Sequence, residues 1–238
     1  MEDLTKSDEI EFTDEVFSFP PVRIAVVAHK ENDWFQESVA SFANLNYLDK
    51  QLTVLTTGQM EWVEPIVSQY FPDAEILEVD PEAGLGANFN AVLSNHDEPA
   101  FYLFCHHDVA LAPDALRLMV EESYRSNAAV VGPKVVNWER PNELLDVGNV
   151  MNSLAVAVQR VEAGEIDQEQ FDSVEQVFAV SNTAFLVRAD LFRALGGFDE
   201  EMGMFGEDLD FCWRAQIAGG KVMFCLLYTS PSPRDQCL

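Results

Sequence analysis

Positive charge is scarce in this chain: 14 Lys and Arg stand against 41 Asp and Glu over 238 residues, for a formal net charge of -27. A surface of that sign repels a nucleic-acid backbone and an anionic membrane surface alike, so no nucleic-acid partner is expected. Cysteine is also scarce. Cys105, Cys212, Cys225 and Cys237 show no paired spacing, and two of them fall inside apolar runs, where Cys serves as a small hydrophobe. No disulfide framework follows, and a reduced, cytoplasmic chain is expected. Long apolar runs are missing too: none approaches the roughly 18 residues of a membrane span. The start, Met1-Glu2-Asp3-Leu4-Thr5-Lys6, lacks the basic and apolar regions of a signal peptide.

What is present is apolar bulk, 48% of the residues, laid out as alternating strand-like and helix-like segments. One large α/β domain is expected rather than two, because domains typically hold about 100–200 residues. Residues 1–20, acidic and closed by Pro20-Pro21, read as a leader. The run Val22-Arg23-Ile24-Ala25-Val26-Val27-Ala28 then has the length and β-branching of a strand buried on both faces. Asn32 or Asp33 can cap a helix carrying Phe35, Val39 and Phe42 on one face, and Gln51-Leu52-Thr53-Val54-Leu55 is the next strand. Strand, helix, strand implies parallel pairing.

The alternation continues through strands at 75–79 and 101–105, a helix opened by Pro113 and a strand at 129–133. Residues 138–176 then turn polar, with a helix expected at 168–174. Phe178-Ala179-Val180 and Ala184-Phe185-Leu186-Val187 resume the sheet, and helices at 190–195 and 207–218 stop at Gly196-Gly197 and Gly219-Gly220. A last strand opens at Lys221-Val222-Met223-Phe224 and is expected to be interrupted by 226–235, since Ser-Pro pairs cannot continue a central strand. The domain is therefore read as 21–225, incomplete at its C-terminal end. Residues 226–238 read as a non-native tail: 226–235 closely resembles translated sequencing-adapter read-through. A natural terminus is the alternative.

Two carboxylate segments carry the chemistry. Phe104-Cys105-His106-His107-Asp108-Val109 ends a buried strand, and Gly206-Glu207-Asp208-Leu209-Asp210-Phe211-Cys212-Trp213-Arg214 opens a helix, so both set acids at element ends, where α/β folds build sites. An oxygen ligand for Mg²⁺ or Mn²⁺ is expected at Asp108, because hard cations favour carboxylates. His106-His107-Asp108 also permits a zinc reading, but neighbouring residues on a strand face opposite ways, so both imidazoles cannot readily meet one ion. On their own, Glu207 and Asp208 are ordinary complements of a helix dipole. Asp210 and Arg214 are spaced for an i, i+4 ion pair, and Trp213 reads as core. Gly84-Leu85-Gly86-Ala87-Asn88-Phe89-Asn90 opens a helix with glycines that let backbone come close to a ligand.

Together with the almost unbroken stretch Leu186-Val187-Arg188-Ala189-Asp190-Leu191-Phe192-Arg193-Ala194-Leu195-Gly196-Gly197-Phe198-Asp199-Glu200, these segments resemble the family-two inverting glycosyltransferases of GT-A fold, and in particular the large actinobacterial cell-envelope enzymes. The resemblance runs from about Val22 to Val222. It implies a GT-A fold, a mostly parallel sheet flanked by helices. It also implies transfer of a sugar from a UDP- or dTDP-linked donor to a carbohydrate or lipid-linked acceptor hydroxyl, assisted by Mn²⁺ or Mg²⁺. By the same resemblance Asp208 is the catalytic base beside Glu207, Asp108 holds the metal, and Ala28, His29, Thr56, Gly84, Gly86, Asn90 and His107 line the nucleotide side. Thr56 stands where relatives carry Asp before Thr-Gly, and Asn182 and Thr183 receive no role. A divalent cation would bridge an acidic protein and an anionic donor, although the charge is equally that of a solvated surface. The family location is cytoplasmic, which allows a full-length protein at the inner face of the plasma membrane. A catalytically degenerate nucleotide-sugar-binding domain stays open as an alternative. A sugar-phosphate nucleotidyltransferase fits less well, because Ala28-His29-Lys30-Glu31-Asn32 lacks the Gly-rich, basic loop it needs.

Overall fold

The computed structural model describes residues 19–58, 60–94, 98–154, 156–203 and 205–232, with side chains described through 225. Strand β1 (Val22–Ala28) is buried at all seven positions. Its side chains alternate between two apolar layers, Ile24 and Val26 in one and Ala25 and Val27 in the other, as the two-residue period of a strand requires. Helix α1 (Trp34–Ala43) covers the first layer with Phe35, Val39 and Phe42. Its start is fixed by Asn32 rather than Asp33: Asn32 Oδ1 accepts from the Trp34 and Phe35 amides at 3.0 and 2.9 Å.

Strand β2 (Lys50–Thr56), helix α2 (Met60–Tyr70) and strand β3 (Glu75–Glu78) follow, and then helix α3 (Leu85–Phe89) with a 3₁₀ turn over Asn90–Ser94. Strand β4 (Phe101–His106), helix α4 (Ala115–Ser126) and strand β5 (Ala128–Asn137) complete the regular alternation. Short strands β6 (Leu144–Asp146), β7 (Asn149–Met151), β8 (Ala157–Gln159) and β9 (Glu175–Gln176) come next. Strand β10 (Ala184–Arg188), helices α5 (Ala189–Ala194) and α6 (Glu207–Ile217), and strand β11 (Lys221–Ser232) close the described chain.

The sheet order is β3-β2-β1-β4-β10-β5-β11-β9, with β6 on β5 and β7 paired to β8 apart from it. β1, β2, β3 and β4 pair parallel, as do β5 and β11, whereas β10 runs antiparallel between β4 and β5. The result is the expected sheet of mostly parallel strands with helices on both faces.

Three expectations are corrected. The helix at 168–174 is absent: the stretch is turns, Glu169 has φ 64°, and Asp167 and Asp172 are drawn to the buried ammonium of Lys134. Phe178-Ala179-Val180 is not a strand; only Ala179 forms a bridge, to Asn149, and the pairing falls earlier, in β9. β11 does not stop at Phe224 but stays paired to β5 through Ser232, with register shifts at Cys225/Tyr228 and Thr229/Pro231. Its pairing to β9 covers Met223 and Phe224, so Pro231 lies beyond the two-sided part of the ladder, where a missing N–H is tolerated.

Candidate active site

Registers across the parallel strands put several residues expected on the nucleotide side in one row. Ala28 at the end of β1 lies opposite Thr56 at the end of β2, and Val27 opposite His106 at the end of β4. Just beyond that edge the rings of His29 and His107 meet edge to face, centroids 4.4 Å apart. Partial desolvation lowers the His29 pKa, and the negative charge of Asp108 pulls the other way. The His107 carbonyl is held by the Ser38 hydroxyl of α1 at 3.0 Å. His106 faces away from this pair, toward the second carboxylate segment, as alternation on a strand demands.

The antiparallel β10 delivers residues 181–183 to the same edge. The His106 amide donates to the Thr183 carbonyl at 3.2 Å, and the side chain of Asn182 becomes a junction. Its Nδ2 donates to Glu207 Oε1, its Oδ1 meets His106 Nε2 at 2.9 Å, and its backbone N–H donates to Asp208 Oδ2 at 3.2 Å. With Nδ2 committed to Glu207, Asn182 can only accept from His106, so Nε2 carries the proton and Nδ1 looks toward Asp108, 4.0 Å from Oδ1. One asparagine thus ties the β4 motif to the α6 motif.

Gly206, with φ 96°, turns the chain into α6 in a conformation open to glycine. Glu207 is 2% exposed, whereas Asp208 is half-buried, so Asp208 can reach an incoming group and Glu207 orients. Arg214 Nε bonds Asp210 Oδ2 at 2.6 Å, the expected pair, and Arg214 Nη1 also reaches the Leu195 and Gly197 carbonyls at 3.2 and 3.0 Å. Trp213 is not core: it is 53% exposed, since the buried stripe of α6 runs through Glu207, Phe211, Cys212 and Ala215.

Gly84, Gly86 and Asn90 are found against the loop that runs from Phe198 to Glu207. A Cβ on Gly84 would lie 1.8 Å from the Gly203 carbonyl oxygen, and one on Gly86 would lie 2.9 Å from Phe198 Cβ and 3.0 Å from Glu207 Cβ. Asn90 Oδ1 accepts from the Phe198 amide and Nδ2 donates to the Phe198 carbonyl, both at 2.9 Å. Phe198 in turn packs among Phe89, Phe104, Phe185, Phe192 and Phe211. The glycines therefore let α3 seat the loop that carries Glu207 and Asp208.

Asn182, which sequence reasoning left without a role, is the residue that joins the two motifs. Its only linear signal is a polar side chain two residues before a strand that begins at this edge.

The glycosyltransferase-like family 2 model matches residues 20–229. The chain belongs to that family. No curated protein sequence matches it. Among solved structures, GalNAc-T7 with UDP, GalNAc and Mn²⁺ superposes with a TM-score of 0.69 at 12% identity, over 90% of this chain and 42% of the other. TarS 1-349 of S. aureus gives 0.65 at 15% identity over 89% of this chain and 60% of that one. A longer S. aureus TarS structure gives 0.65 at 16% identity, over 89% and 36%. This glycosyltransferase domain spans less than two thirds of each of these neighbours, which share its GT-A fold.

Proposed function

We propose that this glycosyltransferase domain moves a sugar from a nucleotide-diphosphate donor, UDP- or dTDP-linked, to a hydroxyl of a carbohydrate or lipid-linked acceptor, with inversion. The observation that carries the reading is the Asn182 junction, which sets Asp108 and His106 beside Glu207 and Asp208 although the two motifs lie far apart in sequence. An acid that holds a cation and an acid that takes a proton are what the reaction needs side by side.

Asp208 accepts the proton of the acceptor hydroxyl as its oxygen attacks the anomeric carbon. The bond from that carbon to the diphosphate breaks, and the diphosphate leaves with the electron pair from the opposite face, so the configuration inverts. The Asn182 amide holds Asp208 Oδ2 in place, and Glu207 fixes the Asn182 side chain. Among the described residues no three His, Cys, Asp or Glu converge as metal ligands. Asp108 Oδ1 and His106 Nδ1, 4.0 Å apart, suit a cation that takes its remaining ligands from water and donor phosphates, the habit of Mg²⁺ in phosphate sites. Asp108 and His106 would hold Mn²⁺ or Mg²⁺, which when bound stabilises the charge gathering on the leaving diphosphate. That the GalNAc-T7 neighbour was solved with UDP and Mn²⁺ supports this choice. A nucleotide donor and cysteines without paired spacing fit the cytoplasm, and among the described residues no helix is long and apolar enough to cross a membrane.

Two near-isosteric variants test the division of labour. Asp208→Asn is expected to lower transfer by roughly 10²–10⁴-fold with UDP affinity intact, the usual scale of a lost general base. Asp108→Asn is expected to abolish the Mn²⁺ dependence of UDP binding in calorimetry. Parent-level transfer by Asp208→Asn, or a product of retained configuration, would overturn the mechanism, and nucleotide protection without any product would favour the binding-only alternative.

A further inference from the structure

Two tryptophans meet beyond the ends of β1 and β5, and neither belongs to the apolar layers. Trp34 opens α1 just beyond β1, Trp138 directly follows β5, and their rings touch edge to face with centroids 4.9 Å apart. Both are half-buried, and both are missing from the two clusters that make the core and from the residues packed against them. Trp is rarely buried outright, but these two join neither apolar layer, so a pair assembled from distant loops asks for another reason.

Its position supplies one. β1 and β5 are separated by β4 and β10 in the sheet, so the contact crosses the ends of exactly the strands that lead into 106–108 and out of 181–183. Three strand spacings of about 4.8 Å make that a span of roughly 14 Å. Trp34 also shares a face of α1 with Ser38, four residues on, and Ser38 is bonded to the His107 carbonyl, so this face of the helix is the one turned to the metal motif. Each tryptophan is set by an asparagine turn. Asn32 Oδ1 takes the Trp34 amide at 3.0 Å, and Asn137 Oδ1 takes the Glu139 and Arg140 amides at 2.9 and 3.1 Å, pinning the chain on either side of Trp138. The pair is a fixed wall.

We infer that Trp34 and Trp138 form the subsite for the pyranose ring of the transferred sugar. The inference rests on the glycosyltransferase reading above. In that reading the diphosphate sits at Asp108 and the acceptor hydroxyl at Asp208, so the anomeric carbon, and the ring that carries it, must lie between them, at the ends of β4 and β10 that the Trp34–Trp138 contact spans. A pyranose is uncharged, and its C–H bonds make one ring face apolar. An indole face is the side chain that recognises such a surface without adding charge to an already acidic site. The base of the donor, at the far end of the diphosphate, lies outside this span. The pair therefore selects for the sugar and leaves the nucleotide alone.

The test compares UDP with UDP-glucose, UDP-galactose and UDP-N-acetylglucosamine in Mn²⁺, by calorimetry and by tryptophan fluorescence, on the parent chain and on Trp34→Leu, Trp138→Leu, Trp34→Phe and Trp138→Phe. Leucine keeps apolar bulk and removes the aromatic face, whereas phenylalanine restores it. The parent is expected to bind one of the sugar nucleotides more tightly than UDP and to change its fluorescence on doing so. Each Leu variant should lose roughly three- to tenfold in affinity for that sugar nucleotide, the scale of one aromatic contact, while UDP affinity holds and the Phe variants recover most of the loss. An unchanged sugar-to-UDP affinity ratio in both Leu variants overturns the subsite while leaving the transferase reading in place. An equal loss for UDP and its sugars also overturns it, by making the pair a base platform. A parent chain that binds none of the four ligands, and neither dTDP nor dTDP-glucose, overturns the transferase reading and this inference with it.

Discussion

Strand β1 divides Ile24 and Val26 from Ala25 and Val27 between two apolar layers, whereas the buried apolar side chains of 138–181 all belong to one layer. The first arrangement distributes order over many interchangeable contacts. The second leaves it with a few polar ones: Lys134 Nζ to Asp167 at 2.8 Å and Asp172 at 2.6 Å, Arg160 to Glu175 at 2.5 Å, and the asparagine turn at 137. Residues 22–137 build the parallel scaffold, and 138–181 leads the chain to Asn182. A fold can thus carry its scaffold on apolar periodicity and the approach to a polar junction on a handful of ion pairs, and such a region opens locally before the scaffold does.

The sharpest way to break this contrast is at Lys134, whose side chain is fully buried. Burial pulls its pKa down, but the carboxylates of Asp167 and Asp172 outweigh that and hold it above the ordinary lysine value. Lys134→Ala should cost about 3–5 kcal/mol in denaturant unfolding, the scale of breaking a buried pair from one side. Hydrogen exchange should rise across 138–181 while β1 and β2 stay protected. Because the folded pKa is raised, the lysine's contribution is complete below about pH 10.4, the unfolded value, and fades as pH climbs through the folded one. A loss under about 1 kcal/mol, or uniform exchange across the chain, would show that 138–181 needs no ionic anchor.

Between the regions sits Asn90, which belongs to the first and grips the Phe198 amide and carbonyl of the second half. Asn90→Ala strips partners from both groups and should cost about 1–3 kcal/mol. Transfer should fall further than stability alone explains, because the loop that places Glu207 and Asp208 loosens, while UDP affinity stays near the parent value. A selective loss of UDP affinity would instead give Asn90 the nucleotide contact that the family resemblance implies.

The parallel half was legible because its causes are local. Val22–Ala28 is rich in β-branched residues, with Val22, Ile24, Val26 and Val27, while Phe35, Val39 and Phe42 repeat at helical spacing, and Gly196-Gly197 stops α5. The ends of β1, β2 and β4 could be named as a site edge for the same reason. The turns at 168–174 could not, because a buried lysine on β5 decides them and no pattern inside that stretch mentions Lys134. Asn182 escaped for a similar reason: its partners His106, Glu207 and Asp208 come together only when antiparallel β10 slots beside β4. Gly84 and Gly86 are expected to face a ligand, and the structure adds what no sequence pattern shows, that a Cβ on either would meet Gly203, Phe198 or Glu207, since a glycine leaves room for backbone from any source. Trp213 was read as core from its type, and the helical phase of α6 put it outside.

The smallest expected effect completes the contrast by repeating the lysine experiment in the other region. Arg117 on α4 bonds Glu121 at 2.7 Å, one turn along the helix, and lies 3.4 Å from Asp114. It has as many carboxylates as Lys134, at similar range. Its surroundings differ: Arg117 is 32% exposed and its partners 57% and 52%, so water already solvates every charge the pair would lose. Arg117→Ala should therefore change unfolding free energy by less than about 0.5 kcal/mol, and 0.5 M NaCl should erase even that, since exposed pairs are screened. The same salt should leave the Lys134 contribution nearly intact. If Arg117→Ala cost as much as Lys134→Ala, ion pairs would matter equally in both regions, and burial would no longer explain why 138–181 depends on them.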